Sequence, residues 1–138
     1  MADQGYSGTP LAKKLGVKPQ HHLVLRHRPR GWEIPGLPEG VEVTEDAMAG
    51  ADVVVAFYRT RDALERDIPR IVRELGQAGM LWIAWPRRAA GHLSDITEND
   101  LRDLLLPTGL VDVKVAAMDE DWSGLKFVWR VEHRHRHE

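Results

Sequence analysis

The sequence predicts a three-layer α/β sandwich in which a mostly parallel sheet ends in an antiparallel hairpin. Two apolar runs, residues 51–58, in which Asp52 is the one charged residue, and residues 80–85, are typical of strands that are buried on both faces. The stretch between them has apolar residues at helical spacing, at positions 64, 68, 71, 72 and 75. This strand–helix–strand order favours parallel pairing. Residues 110–118 and 125–131 then predict two strands that pair as a hairpin, with residues 119–124 as its loop.

The first predicted element is a short helix. Thr9 is a suitable N-cap, and Pro10 fits the first helical position. The helix therefore covers residues 10–15 and ends at Gly16, because glycine commonly follows the last turn of a helix.

Two short strands follow this helix, at residues 22–25 and 41–44. Residues 27–40 lie between them and hold three prolines and three glycines, so they predict a loop.

Two longer helices are predicted in the second half of the chain. The helix over residues 61–75 contains Pro69, which predicts either a kink or a break after a first short turn. The helix over residues 97–106 has Thr97 or Ser94 as its cap, and a proline and a glycine end it.

The composition predicts one α/β domain over residues 1–138, with an N-terminal arm and short helix at 1–20 and a disordered tail at 132–138. Cysteine is absent, which excludes disulfides and a cysteine nucleophile and fits a reducing cytoplasm. The net charge of −2 argues against general nucleic-acid binding. There is no signal-peptide pattern, and no apolar run reaches the ~20 residues of a membrane helix. The expected location is therefore the cytoplasm.

Several stretches carry a resemblance to known families: GYSGTPLAKKLG, PEGVEVTE, GADVV, LWIAWPRRAAG and GLVDVKVAAMDEDWSGLKFV. Together they resemble a small bacterial family known as a domain of unknown function, DUF3052. The last 90 residues also resemble the second half of a class I methyltransferase-like Rossmann fold. The resemblance implies a truncated version of that fold, and it implies no reaction and no catalytic residues.

The residues after the first strand depart from the methyltransferase pattern. Such folds bind S-adenosylmethionine with a glycine-rich turn there, whereas residues 26–31 read RHRPRG. Glu45 or Asp46, after the second strand, would either take the ribose hydroxyls or cap the following turn. We therefore predict no cofactor, with S-adenosylmethionine as the alternative.

Charged and aromatic residues follow the carboxyl ends of the predicted strands, where open α/β sheets bind ligands. The guanidinium of arginine suits phosphate or carboxylate recognition, and tryptophan offers a flat apolar wall. The predicted anion-binding edge consists of Arg26, Arg28, Tyr58, Arg59, Arg61, Trp85, Arg87, Arg88 and Trp122. The alternative is that these arginines are solvated or pair with Asp62, Asp95 and the acids of the hairpin loop.

Catalytic and metal-binding motifs are absent: there is no HExxH, no GxSxG and no GxxxxGK[ST], and neither Ser7 nor Ser123 has a recognisable base beside it. We predict no catalytic residue and no metal site. The histidines that resemble metal ligands are His21, His22, His133, His135 and His137, of which the last three are interpreted as part of a disordered tail or a cloning remnant.

The sequence therefore predicts a non-catalytic domain that binds an anionic small molecule or a protein partner at the carboxyl edge of its strands. One alternative is a methyltransferase with a degenerate cofactor loop. The other is an oligomeric or accessory protein that packs on a partner through its sheet edge, its hairpin or its N-terminal arm, with Tyr6 as the anchor.

Overall fold

The computed structural model of the chain describes residues 9–88, 91 and 93–131. The predicted N-terminal arm before residue 9 and the tail after residue 131 lie outside these residues. In chain order, the helices and strands are α1 Leu11–Leu15, β1 His22–Arg26, β2 Glu42–Thr44, β3 Val53–Phe57, α2 Arg61–Glu74, β4 Met80–Pro86, α3 Glu98–Leu105, β5 Leu110–Ala117 and β6 Trp122–Trp129.

The strands form one six-stranded sheet in the order β2-β1-β3-β4-β6-β5. The pairs β1–β2, β1–β3 and β3–β4 are parallel, whereas β4–β6 and β5–β6 are antiparallel. The predicted mostly parallel sheet with an antiparallel C-terminal hairpin is therefore confirmed.

Apolar side chains cover both faces of the sheet. On one face, Leu64 of α2 and Leu101 of α3 pack against the sheet. On the other face, Leu15 of α1 packs together with Trp32 and Ile34 from the loop that follows β1. Because both faces are covered, every residue of β3 is buried, which explains its uninterrupted apolar sequence.

A threonine side chain caps the start of each of the two longer helices. Thr60 accepts a hydrogen bond from the backbone N–H of Ala63 at the start of α2. Thr97 and Asp100 form a capping box at the start of α3, which confirms Thr97 as its cap.

The predicted alternative of a break at Pro69 is wrong, because α2 is one continuous helix through this residue. Pro69 is exposed, so the apolar stripe on the opposite side of the helix remains packed.

The start of α1 differs from the prediction by one residue. Pro10 occupies the N-cap position and the helix begins at Leu11, so the prediction of Thr9 as the N-cap is wrong. Pro10 has ψ 146°, which lies outside the helical region and moves the start of the helix one residue onward. Gly16 ends the helix with φ 88°, a conformation that favours glycine, as predicted.

The hairpin loop is shorter than predicted, because β6 begins at Trp122 and not at residue 125. Gly124 is a strand residue opposite Ala84 on one side and Ala116 on the other. Its sequence context is typical of a turn, yet its physical role is to leave room for two neighbours. A Cβ at this position would lie 2.6 Å from Met118 Cε and 3.1 Å from Trp82 Cε3.

We predict that Gly124→Ala lowers the free energy of unfolding by about 1–3 kcal/mol, because the added methyl group overpacks this contact. Equilibrium unfolding in urea measures the change. Gly76→Ala is the matched control, because a Cβ there meets no atom within 4 Å. Equal effects of the two substitutions would contradict the close packing around Gly124.

Candidate functional site

The sequence-predicted site residues gather near one edge of the sheet. The carboxyl ends of the parallel strands lie there, and the hairpin loop joins them because Pro86 at the end of β4 stands opposite Trp122 at the start of β6. The residues do not form one continuous site along this edge. Most of them separate into a closed ion-pair cluster at the end of β1 and a more exposed group beside the hairpin.

The closed cluster is centred on Arg26, the last residue of β1, which is 4% exposed. Its Nε and Nη2 donate to the two carboxylate oxygens of Asp67 on α2, at 2.8 and 2.7 Å. Its Nη1 donates to the backbone oxygen and to Oδ1 of Asp46, at 3.1 and 3.0 Å. Tyr58, just after β3, donates its hydroxyl hydrogen to Asp67. All three nitrogens of the Arg26 guanidinium are therefore hydrogen-bonded to groups of the protein itself.

Arg26, Tyr58 and Asp67 each have a shifted pKa, which keeps each side chain in the protonation state that its hydrogen bonds require. Burial alone would raise the pKa of the Asp67 carboxyl, but hydrogen bonds from Arg26 and Tyr58 outweigh it and lower that pKa from 3.8 to about 2. Burial raises the pKa of the Tyr58 hydroxyl, and its hydrogen bond to Asp67 adds to the effect. The hydrogen bond to Asp67 also raises the pKa of Arg26. Asp67 is consequently an anion, and Tyr58 is a neutral donor.

The cluster lies at the point where the strand order reverses. Strand β1 pairs with β2 on one side and with β3 on the other, so the chain leaves β1 in one direction and later returns on its opposite side. In open α/β sheets the crevice at such a point is the usual place for a ligand. In this chain, the side chains of Arg26, Tyr58 and Asp67 meet there.

The loop after β1 adds to the same cluster. His27 has φ 60°, a left-handed conformation that is uncommon outside glycine. Its ring lies edge-on to Tyr58 with centroids 5.4 Å apart, and its Nε2 is 3.4 Å from Asp67 Oδ2. Arg28 donates to Glu45 and to the backbone oxygen of Trp32. Both acids predicted to reach a ribose are therefore ion-paired, Glu45 with Arg28 and Asp46 with Arg26.

The second group lies on the opposite face of the sheet, beside the hairpin. The guanidinium carbon of the exposed Arg59 is 5.0 Å from the ring centroid of Trp122. Trp122 in turn lies edge-on to Phe57, and Phe57 to Trp32, with ring centroids 5.1 and 4.8 Å apart. Trp122 is only 5% exposed. Its ring therefore supports Arg59 and does not offer an open wall.

The two arginines of the WPRR stretch have different surroundings. Arg87 donates its backbone N–H to Asp121 and its Nη1 to the backbone oxygens of Asp119 and Glu120, at 3.2 and 3.3 Å. It thus holds the hairpin loop against the end of β4. Arg88 is exposed and forms no ion pair with any residue that the structure describes.

Two predicted site residues lie away from both groups. Trp85 is 8% exposed and packs in the core beneath α2 and α3. The guanidinium of Arg61 pairs with Glu65 and Asp100, while Asp95 accepts a hydrogen bond from the backbone N–H of Arg61.

Asp67 was missed by the sequence analysis, although its position carried a signal. It lies three residues after the buried Leu64 and four before the buried Ile71, so it falls on the apolar stripe of α2. A carboxylate on such a stripe needs a buried cation, because an unpaired charge is costly away from water. The side chain at the end of β1 supplies that cation.

Other site classes gain no support from the described part of the chain. His22 Nε2 is 2.8 Å from Thr44 Oγ1, and His21 Nδ1 accepts from the backbone N–H of Lys18. Within the described ranges, no three His, Asp or Glu side chains gather as a metal ion requires. Tyr6, Ser7 and the three histidines of the tail lie outside the described residues.

None of the described helices is long and apolar enough to cross a membrane, and the cytoplasmic location stays a prediction.

Residues 38–131 match the family described as a protein of unknown function (DUF3052). No curated protein sequence matches the chain. Among solved structures, a SAM dependent methyltransferase from Aquifex aeolicus aligns with 85% of this chain and 86% of its own, at TM-score 0.61 and 10% identity.

Two further structures show the same similarity. The fibrillarin pre-rRNA processing protein of Methanococcus jannaschii aligns with 86% of this chain and 73% of its own, at TM-score 0.60 and 13% identity. A ribosomal protein L11 methylase from Lactobacillus delbrueckii subsp. bulgaricus aligns with 87% and 75%, at TM-score 0.55 and 10% identity. These similarities show the fold, and the predicted methyltransferase-like Rossmann architecture is confirmed.

We predict that Asp67→Asn lowers the free energy of unfolding by about 3 kcal/mol, because it leaves the buried Arg26 with the exposed Asp46 as its one remaining described charge partner. Urea unfolding measures the loss. Asp62→Asn, on the same helix, is the control: its ion pair with Arg66 has side chains 75% and 76% exposed and should contribute no more than about 1 kcal/mol. A loss at Asp67 as small as that at Asp62 would contradict a buried, mutually dependent cluster.

The same ion pair predicts a pH dependence. The pKa of Asp67 is about 2 in the folded chain and lies below its ordinary value of 3.8, so its stabilisation is complete above the ordinary value and is lost as the pH falls towards 2. We expect wild type to lose about 1–2 kcal/mol more than Asp67→Asn between pH 5 and pH 2. Unfolding curves of both proteins across this range measure the difference. Parallel curves would mean that Asp67 titrates normally.

Proposed function

The chain belongs to the DUF3052 family, whose description assigns no activity, and we propose that it is a non-catalytic domain that binds a small anion at the carboxyl edge of its sheet. The binding groups are Arg59 and Arg88, next to the hairpin. Trp122 supports Arg59, Arg87 holds the hairpin loop against the end of β4, and the anion is a phosphate or carboxylate group.

The observation that carries this proposal is the contrast between the two groups of arginines. At the reversal of strand order, Arg26 and Arg28 are bound to Asp67, Asp46 and Glu45. Beside the hairpin, Arg59 and Arg88 are exposed and form no ion pair within the described part of the chain. Uncompensated guanidinium groups are the ones that remain available to an external anion.

Arg59 is also held in a fixed position. Its guanidinium lies against the ring of Trp122, which is itself fixed by Phe57 and by the turn of the hairpin. A positioned arginine loses less conformational freedom on binding than a mobile one, so more of the interaction energy appears as affinity. The aromatic contact leaves the N–H groups at the rim of the guanidinium available to a ligand.

A methyltransferase is the second candidate, because the similar solved structures include a SAM dependent methyltransferase. The residues of this chain do not fit an adenosyl cofactor in the usual crevice. His27 takes the place of the glycines that allow close approach, and Glu45 and Asp46 are both ion-paired. A direct binding measurement with the cofactor decides between the two candidates.

A protein partner or a second copy of the chain is the other occupant that the sequence predicts for this edge. Such an occupant would place carboxylates against the same arginines. A molecular mass that rises with protein concentration would identify self-association and would replace the small anion in the proposal.

The test is titration calorimetry with inorganic phosphate, citrate, S-adenosylmethionine and S-adenosylhomocysteine as separate ligands. We expect phosphate or citrate to bind and the adenosyl compounds not to bind. Arg59→Gln should weaken the anion about tenfold or more, because it removes a charge-assisted hydrogen bond. Arg73→Gln is the matched control, since Arg73 is also exposed and unpaired among the described residues but lies on α2. Binding of the adenosyl compounds alone, or equal effects of both substitutions, would overturn the proposal.

A further inference from the structure

All the lysines of the chain lie on one side of the molecule, around α1 and the strands beside it. Within the described residues, neither Lys114 nor Lys126 belongs to an ion pair. Lys14 on α1 reaches the backbone oxygen of Ala117 on β5 at 3.2 Å, which places α1 against the hairpin. The lysines are Lys13, Lys14, Lys18, Lys114 and Lys126.

Two of these lysines face each other directly. Lys114 on β5 is paired in register with Lys126 on β6, and Lys126 is paired with Trp82 on β4. The three side chains thus form one row across three strands, on the sheet face that α1 borders. The Lys114 ammonium lies 6.0 Å from the ring centroid of Trp82. A Cβ on Gly16, at the end of α1, would lie 4.0 Å from Lys126 Nζ.

This arrangement is unfavourable for the protein alone. Like charges directly opposite each other on neighbouring strands destabilise a sheet. Lys126 is half-buried, and burial together with the charge of Lys114 lowers its pKa. Neither ammonium has a hydrogen bond or an ion pair with any residue in the described ranges. The fold therefore leaves two adjacent lysines, the exposed Lys114 and the half-buried Lys126, without a compensating charge among the described residues.

We propose that Lys114 and Lys126 bind the phosphate dianion of a phosphate monoester or of free phosphate, at a site separate from the arginine edge. Two ammonium groups match the two charges of such a dianion, whereas one carboxylate would leave one lysine uncompensated. Each ammonium has three donors for the phosphate oxygens. The ring of Trp82 lies 6.0 Å from the Lys114 ammonium and attracts it by a cation–π contact.

The chain is well suited to a direct test, because each lysine can be assigned by substituting it in turn. Protein labelled with ¹³C-lysine is titrated with inorganic phosphate at constant ionic strength, and the Cε resonances are followed by NMR. We expect saturable shifts at Lys114 and Lys126 and no comparable shift at Lys18. Lys114→Gln should abolish the shift at Lys126, and Lys18→Gln should leave it unchanged. Equal, non-saturating shifts at all lysines would overturn the proposal.

Thermal unfolding gives a second measurement that does not depend on assignment. Without phosphate, Lys114→Gln should raise the melting temperature, since it removes the repulsion from Lys126. With phosphate, Lys114→Gln should gain less stability than wild type, because only the arginine edge remains to bind the anion. Arg59→Gln should retain the part of the gain that Lys114→Gln loses, which separates this site from the arginine edge. A phosphate-induced gain of equal size in Lys114→Gln would overturn the proposal.

The source of the phosphate group is identified by comparing two ligands of the same chemistry. Glycerol 3-phosphate represents a small metabolite, and a phosphoserine pentapeptide represents a modified protein. Tighter binding of the ester indicates a metabolite site, and tighter binding of the peptide indicates a phosphorylated partner. Failure of both ligands and of inorganic phosphate to move the Lys126 resonance would exclude the site.

Discussion

The buried ion pair between Arg26 and Asp67 is the interaction on which the arrangement of the sheet edge depends. It joins the end of β1 to the middle of α2, and Tyr58 adds the end of β3 to the same carboxylate. A buried charge without a partner would be strongly unfavourable, so these elements are held in a single relative position. The same contacts fill the crevice at which an open α/β sheet usually receives its ligand. One cluster therefore supports the fold and occupies the usual binding position.

The order of the elements could be predicted from the sequence because it depends on local signals. The continuous apolar run of β3, the apolar stripe of α2 and the capping pair at the start of α3 are each contained in a few neighbouring residues. Gly124 marks the limit of this approach. Glycine favours both turns and crowded strand positions, and only the packing of Trp82 and Met118 above it decides between them.

The pairing of charges could not be predicted in the same way. Arg26 is the last residue of β1, and Arg59 follows the end of β3. Both lie near the same edge of the sheet, so their sequence contexts are alike. They differ in the face of the sheet that they reach. Arg26 meets α2 and its acid Asp67, whereas Arg59 meets the ring of Trp122 at the hairpin. This difference depends on strand order and on the alternation of side chains across the sheet, which are long-range properties of the fold.

The different roles of arginine and lysine in ion pairing follow from the shapes of their charged groups. Arg26 binds Asp67 through two parallel hydrogen bonds, which a lysine ammonium cannot form. Within the described residues, Lys114 and Lys126 have no carboxylate partner. A net charge of −2 thus coexists with a locally positive face. Partners of this chain are therefore better inferred from the charges that the fold leaves uncompensated than from its overall charge.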